Sequence, residues 1–346
     1  MIKEITKKEI WNRFVQSQKS SHILQAFEWG EFKSLQGWKS RRFILEENGE
    51  AEAIYPILEK KIPLIGCKFW YLSRGPVGDF QDQQLVGQIL DNLLNMAKEN
   101  RVLAVKIRPE IIFDKDIKQI IALFKNKGFQ EAGDDKLCEC TIRINLEGSL
   151  EQIFAAFKKN TRWETRRAER DGVVVKKGEG EQDLKIFYQL YLEALKKDKV
   201  GILPYNYFEN FLKIFKNNAL VLIAFLDKVP LSTVLVSSFG KKCFYMFGGS
   251  TKGQPTHYAS QLLQWEAIKW AKSRRCYIYD FYGIPCGEPK NKHDVGILQF
   301  KSGFGGEKVK SIGELDYVFS PFLYKMIFSC LHPIYNKLKT ILSKLR

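Results

Sequence analysis

The residues with the most chemical potential lie at 297–310, ILQFKSGFGGEKVK. A lysine beside three glycines suggests either an anion cradle or an ammonium aimed at developing negative charge. Two phosphate-binding patterns fail on order and spacing. A P-loop places its Lys and Ser/Thr after the glycines, whereas Lys301 and Ser302 precede Gly303, Gly305 and Gly306. Those glycines are also too close together for G-x-G-x-x-G. A structural strand-hairpin-strand with an exposed lysine and a catalytic lysine both remain open.

The densest cationic stretch is KKNTRWETRRAERDGVVVKK, residues 158–177, with eight Lys or Arg against three acids. On a helix Arg162 aligns with Arg166, and Trp163 starts a row with Arg167 and Arg170. Guanidinium groups grip phosphate bidentately and an indole stacks on a base, so Arg162, Arg166 and Arg167 are candidate phosphate or RNA ligands. A solvated helix face, with Glu164 and Glu169 as intrahelical partners, is the plain alternative. Cys138 and Cys140 share one face of a strand, but no His or Cys pair follows at ligand spacing, and no metal site is expected. The four histidines (22, 257, 293, 332) are scattered, and no Ser–His–Asp or Cys–His set can be assembled.

These residues need a scaffold. At 346 residues the chain exceeds the usual single core, so two domains are expected. Fifty-five Lys and Arg against 39 Asp and Glu leave a net charge of +16. That excess suits nucleic acid, a phosphorylated small molecule or an anionic membrane as partner, or solubility alone. The start, MIKEITKKEIWNRF, lacks the apolar segment of a secretory signal, and the apolar run ALVLIAFL (219–226) is too short to span a bilayer. The expectation is a cytoplasmic protein whose seven cysteines are reduced thiols.

Periodicity predicts a helix at 7–18 and a second beginning in QAFEWGEFKSLQGW, then strands SRRFILEE and EAIYPILEKKIP around an Asn48-Gly49 turn. A strand in KFWYLSRGPVGDF, a helix with Leu85, Ile89, Leu93 and Met96 on one stripe, a strand in RVLAVKIRPEI, a helix ending at Gly128 and the strand KLCECTIRINL complete a first module. The pattern then restarts. One helix covers 149–172, a strand and two helices follow, and three strands form a meander over 219–251. A helix over 260–276, the strand YIYDFYGI and the Gly-rich segment close a second, similarly built α/β module. The tail, SPFLYKMIFSCLHPIYNKLKTILSKLR, reads as helical with a break at Pro333. It carries five Lys or Arg and no acid, which suits docking on anionic lipid or on its own domain.

Taken in order, LQAFEWGEFK, YLSRGPVG, KNTRWETRRAERDGVVV, FYMFGGST, HYASQLLQWEAIKWAK, YDFYGI and GILQFKSGFGGEKVKSIGELDYVFSP resemble the FemABX family of peptidoglycan bridge-forming aminoacyltransferases. The resemblance runs over nearly the whole chain. It implies two tandem domains of the GNAT (acyl-CoA N-acyltransferase) type, 1–145 completed by the tail 317–346, and 146–316, without a coiled-coil insertion. It also implies the reaction: an amino acid moves from aminoacyl-tRNA to an amine on the peptide stem of lipid II or UDP-MurNAc-pentapeptide. No cofactor is expected beyond the charged tRNA as co-substrate. Peripheral contact with the inner face of an anionic membrane is a further expectation.

Residue roles carry over from the same resemblance. Lys301 would stabilise negative charge at the reaction centre, and Phe300 would shape it. Lys33, in WGEFK, resembles a family lysine that contacts the phosphates of the sugar-nucleotide. Tyr207 and Tyr245 resemble tyrosines lining that cleft, and Phe247 stands where a second tyrosine is usual. Leu203 stands where a phosphate-binding arginine is expected, which shifts weight from the UDP-linked acceptor toward lipid II or a different acceptor. No general base is assigned. The chain has no R/Q-x-x-G-x-G/A loop, the usual pyrophosphate cradle of CoA-using members of the fold. Two rivals remain: an N-acyltransferase of the same fold with another amine and a non-tRNA donor, and a non-catalytic RNA-binding protein.

Overall fold

The structure is a computed structural model describing residues 1–62, 66–113, 117–131, 140–195, 201–252 and 255–326. In chain order the strands are β1 (Ile2–Glu4), β2 (Lys39–Glu47), β3 (Glu50–Lys61), β4 (Lys68–Arg74), β5 (Val77–Gly78), β6 (Val102–Pro109), β7 (Gln130–Glu131), β8 (Cys140–Asn145), β9 (Val174–Lys177), β10 (Ala219–Leu226), β11 (Val229–Phe239), β12 (Lys242–Ser250), β13 (Ile278–Asp280), β14 (Glu307–Lys310) and β15 (Leu315–Val318). The helices are α1 (Lys8–Ser17), α2 (Phe27–Ser34), α3 (Gln83–Glu99), α4 (Ile117–Asn126), α5 (Leu150–Ala155), α6 (Lys159–Arg170), α7 (Gly180–Leu195), α8 (Tyr205–Phe215), α9 (Ala259–Ser273), α10 (Lys292–Ser302) and α11 (Pro321–Met326). No helix among the described residues is long and apolar enough to cross a membrane.

The chain forms two compact units. The first takes the described residues of Met1–Ser20, Lys33–Asp135 and Ile312–Arg346. Its sheet runs β1-β2-β3-β4-β6-β15-β7, with β5 beside β3. Strands β4 and β6 are parallel through seven registered pairs, from Lys68↔Val102 to Arg74↔Pro109. Asp82 caps α3 by accepting from the Gln84 and Leu85 amides. The expected stripe of that helix, Leu85, Ile89 and Leu93, is buried with Tyr55, Trp70 and Phe124.

The second unit takes Ser21–Phe32 and the described residues of Lys136–Ser311. Its sheet runs β14-β8-β13-β12-β11-β10-β9. Strands β12 and β13 are parallel for only three pairs, Lys242↔Ile278 to Phe244↔Asp280, and then part. Phe157, Tyr279, Phe281 and Phe304 lie in its core. The two sheets share one plan, as the restarted sequence pattern suggests. Each has an antiparallel meander, one parallel neighbour, a strand drawn from outside that run (β15 or β8) and a short edge strand (β7 or β14).

Several expectations change. The sequence boundary after residue 145 puts β8 in the first module, but β8 pairs with β13 and β14 of the second. The single helix over 149–172 is two, because Arg162 donates to the carbonyls of Ala155 and Phe157 where the chain turns between α5 and α6. The residues before the Gly-rich turn form helix α10, so the strand-hairpin-strand reading of that stretch falls. Not all cysteines are free thiols: Cys140 and Cys286 form a disulfide, brought together by the Cys140↔Ile284 bridge next to it. Cys138 and the basic amphipathic tail beyond Met326 lie outside the described residues.

Leu315 tests the role of the late strand β15. It is buried in the core of the first unit, so Leu315→Ala is expected to cost about 2–5 kcal/mol and to lower the thermal midpoint.

Candidate active site

Lys301 occupies the last turn of α10. Its Nζ donates to the carbonyls of Tyr282 at 2.5 Å and Gly283 at 2.8 Å. The same ammonium stands 5.4 Å from the ring centroid of Tyr245 on β12. Burial pushes the Tyr245 phenol up to about 12, so it remains a neutral π-face toward the cation at neutral pH. Two carbonyl dipoles and an aromatic face thus help to hold the charge in place.

The glycines after Lys301 serve this placement. A Cβ on Gly303 would lie 2.4 Å from Thr161 Oγ1, on Gly305 2.0 Å from the Ala156 carbonyl oxygen, and on Gly306 2.6 Å from the Arg143 carbonyl oxygen. The turn therefore presses against the α5–α6 connection and β8, close approaches that only glycine permits. Gly305 also has φ +75°. The Lys158 amide donates to the Gly303 carbonyl, tying the end of α10 to the start of α6. Phe304 is fully buried against Phe157, Phe281 and Phe300.

Phe300 and Tyr245 line a pocket of about 560 Å³, walled also by Ser232, Gly249, Ser260 and Gln261. It opens where β12 runs on past the end of β13. Gln261, Gly296 and Phe300 also line a second depression, which includes Lys158, Lys159 and Thr161. Lys159 continues into a third, along Arg162, Trp163, Arg166 and Arg170. Shared walls join the three in series from the basic helix α6 to the pocket lined by Phe300 and Tyr245, the neighbours of Lys301.

The three arginines picked from sequence all hold intrachain partners. Arg162 holds the α5–α6 turn, Arg166 lies 5.3 Å over the Phe154 ring, and Arg167 pairs with Asp171 at 2.6 Å. Among the described residues the side chains of Lys159 and Arg170 have no polar partner, and sequence reasoning named neither as a ligand. Trp163 is 49% exposed and meets Tyr258 edge-on, leaving an open aromatic face.

Tyr207 and Phe247 meet at 6.0 Å within an aromatic cluster that includes Phe32 and Phe208. Burial, then the neighbouring phenols of Tyr282 and Tyr191, raises the Tyr207 pKa above its usual value. At Leu203 the backbone amide donates to the Tyr191 hydroxyl, and the carbonyl accepts from that of Tyr188. Lys33 belongs to the first unit. Its Nζ donates to Gln36 at 2.6 Å, and burial together with Lys60 lowers its pKa. Sequence reasoning also missed Asp280, whose carboxylate accepts from the Tyr282 amide. An aspartate two residues before a turn was the available signal.

A model of the FemAB family matches residues 5–228 and 225–332. The lipid II:glycine glycyltransferase of Staphylococcus haemolyticus (strain JCSC1435) is 26% identical over 386 residues, covering 91% of this chain and 92% of that protein. The solved structure of FemX superposes with a TM-score of 0.84 at 22% identity, covering 94% of this chain and 99% of the other. A tandem GNAT protein from the clavulanic acid biosynthesis pathway gives 0.52 at 8% identity, over 93% and 99%. The two units are therefore tandem GNAT-like modules.

Gly305→Ala introduces a Cβ where the Ala156 carbonyl stands, at a left-handed φ. A loss of about 1–3 kcal/mol is expected, read as a lower thermal midpoint.

Proposed function

The chain belongs to the FemAB family, and on that premise we propose that it transfers an amino acid from aminoacyl-tRNA to an amine on the peptide stem of lipid II. The observation that carries this reading is Lys301: a fixed ammonium over Tyr245 and next to Phe300, two residues that line a pocket continuing into a basic, aromatic groove. Glycine is the first amino acid to test, because relatives are named lipid II:glycine glycyltransferases. Lipid II is membrane-linked, so the reaction would take place at the inner face of the cytoplasmic membrane.

In this mechanism the acceptor amine attacks the ester carbonyl of the charged tRNA. A C–N bond forms as negative charge develops on the carbonyl oxygen, and the Lys301 ammonium stabilises that oxyanion. The C–O bond to the terminal ribose then breaks, and the proton lost by the amine ends on the ribose oxygen. Phe300 and Tyr245 wall the reaction space and exclude water. The groove along α6 receives the single-stranded 3′ end of the tRNA, Lys159 and Arg170 facing phosphates and Trp163 stacking on a base. Tyr207 and Phe247 line the acceptor's path in the second unit, and Lys33 is a phosphate ligand of the first. Leu203 cannot bind a phosphate, which favours lipid II over the UDP-linked precursor.

The test is a transfer assay with a pool of charged tRNAs, lipid II in one tube and UDP-MurNAc-pentapeptide in another, read by mass spectrometry. A gain of one amino acid on lipid II that ribonuclease abolishes is expected. Lys301→Met should lower kcat by about 10²–10³-fold. No gain in either tube would overturn the reading, and turnover with acyl-CoA instead would establish the non-tRNA rival.

Groove contacts have their own signature. Lys159→Ala and Arg170→Ala should each reduce the slope of log K against log salt for tRNA binding by about 1. Trp163→Ala should cost about 1–3 kcal/mol of affinity with an unchanged slope.

A further inference from the structure

Lys301 is held by a turn, and the turn is held by a carboxylate that the proposed mechanism does not use. Asp280 ends β13 with its side chain only 3% exposed. One oxygen accepts the Thr141 hydroxyl at 2.5 Å and the Tyr282 amide at 2.8 Å. The other accepts Arg143 Nε at 2.7 Å. Thr141 and Arg143 stand two residues apart on β8 and therefore share a face of that strand.

Beyond Asp280 the strand cannot continue. Tyr282 has φ 51° and Gly283 φ 40°, both left-handed. For a tyrosine that conformation is unfavourable and persists only where neighbours over-determine it. Here they do. The Tyr282 amide is bonded to Asp280, and its ring packs 5.8 Å from that of His22. Ile284 bridges to Cys140, and Cys286 is joined to Cys140 by the disulfide. In this turn the carbonyls of residues 282 and 283 both accept from Lys301 Nζ.

We propose that Asp280 is a positioning residue for Lys301. Its buried carboxylate fixes the left-handed Tyr282–Gly283 turn, and through the two carbonyls of that turn it sets where the ammonium stands. Asp280 itself touches no reacting atom. The catalytic consequence rests on reading Lys301 as the oxyanion stabiliser, whereas the geometric claim does not.

The experiment therefore has two arms, both on the full-length chain. In the first, wild type and Asp280→Asn are acetylated with a limiting amine-reactive ester, and modification of Lys301 is followed by peptide mass spectrometry against exposed Lys228. Loosening the turn should speed Lys301 labelling by about fivefold or more at an unchanged Lys228 rate. An unchanged Lys301 rate overturns the proposal, whether or not transfer is ever observed. In the second arm, kcat and KM for lipid II are compared in wild type, Asp280→Asn, Lys301→Met and the double variant. Displacing the ammonium should lower kcat by about 10–100-fold with KM within about twofold, and should add little in the Lys301→Met background. Independent, multiplying losses in the double variant, or a fall in binding alone, overturn the positioning role. If Asp280→Asn does not fold, Thr141→Val removes one bond to the carboxylate and should give a smaller loss of the same kind. Faster Lys301 labelling with no transfer by wild type would leave the latch standing and remove the proposed function instead.

Discussion

An ammonium drawn part-way out of water must find oxygen atoms in the protein, or it will not stay charged. In the second unit this constraint organises the sheet around it. Strand β13 is cut short at Asp280 so that the chain can turn its carbonyls toward Lys301. Helix α10 must end within reach of those carbonyls, and three glycines let it seat against Thr161, Ala156 and Arg143. Phe304 then locks the seat by packing on Phe281, the residue that separates Asp280 from the turn. Helix, strand end and aromatic core are thus one arrangement serving one charge.

The shared plan of the two units makes their difference informative. In the first, the parallel pair β4–β6, after one register shift at Lys68/Phe69, stays paired to Arg74↔Pro109, and a buried Arg74–Glu110 ion pair at 2.7 Å follows. The corresponding pair β12–β13 separates after three positions, and a pocket opens there. The same architecture thus ends its parallel pair differently in the two copies.

Much of this was legible in the sequence, and the failures have specific causes. Alternation and the 3.6-residue period exposed the meanders and α3, because one face of each is buried in a core. Lys301 stood out by its neighbours. The run YIYDFYGI reads as a strand to its end because its residues favour β structure. What stops it is a side-chain hydrogen bond from Asp280 to the backbone two residues on, which no periodicity records. Helix α10 was hidden in the same way: it has no fully buried residue and hence no apolar stripe. The arginines of α6 were chosen by charge and spacing. The commitment of Arg162 to Ala155 and of Arg166 to Phe154 depends on a helix break between α5 and α6 that composition does not reveal, whereas Arg167 meets Asp171 one helical turn on, at a spacing the sequence does show.

The place of β15 between β6 and β7 has a consequence for biosynthesis. A nascent chain delivers β6 and β7 early and β15 only after the whole second unit has been made. At about 5–20 residues per second, the strand that joins them arrives roughly ten to forty seconds after β7. The second unit needs nothing beyond Ser311, so the part of the chain translated later is the first able to complete its sheet. Until then the N-terminal region must wait on or near the ribosome with the β6 edge unpaired, exposed to chaperones and to pairing with other chains.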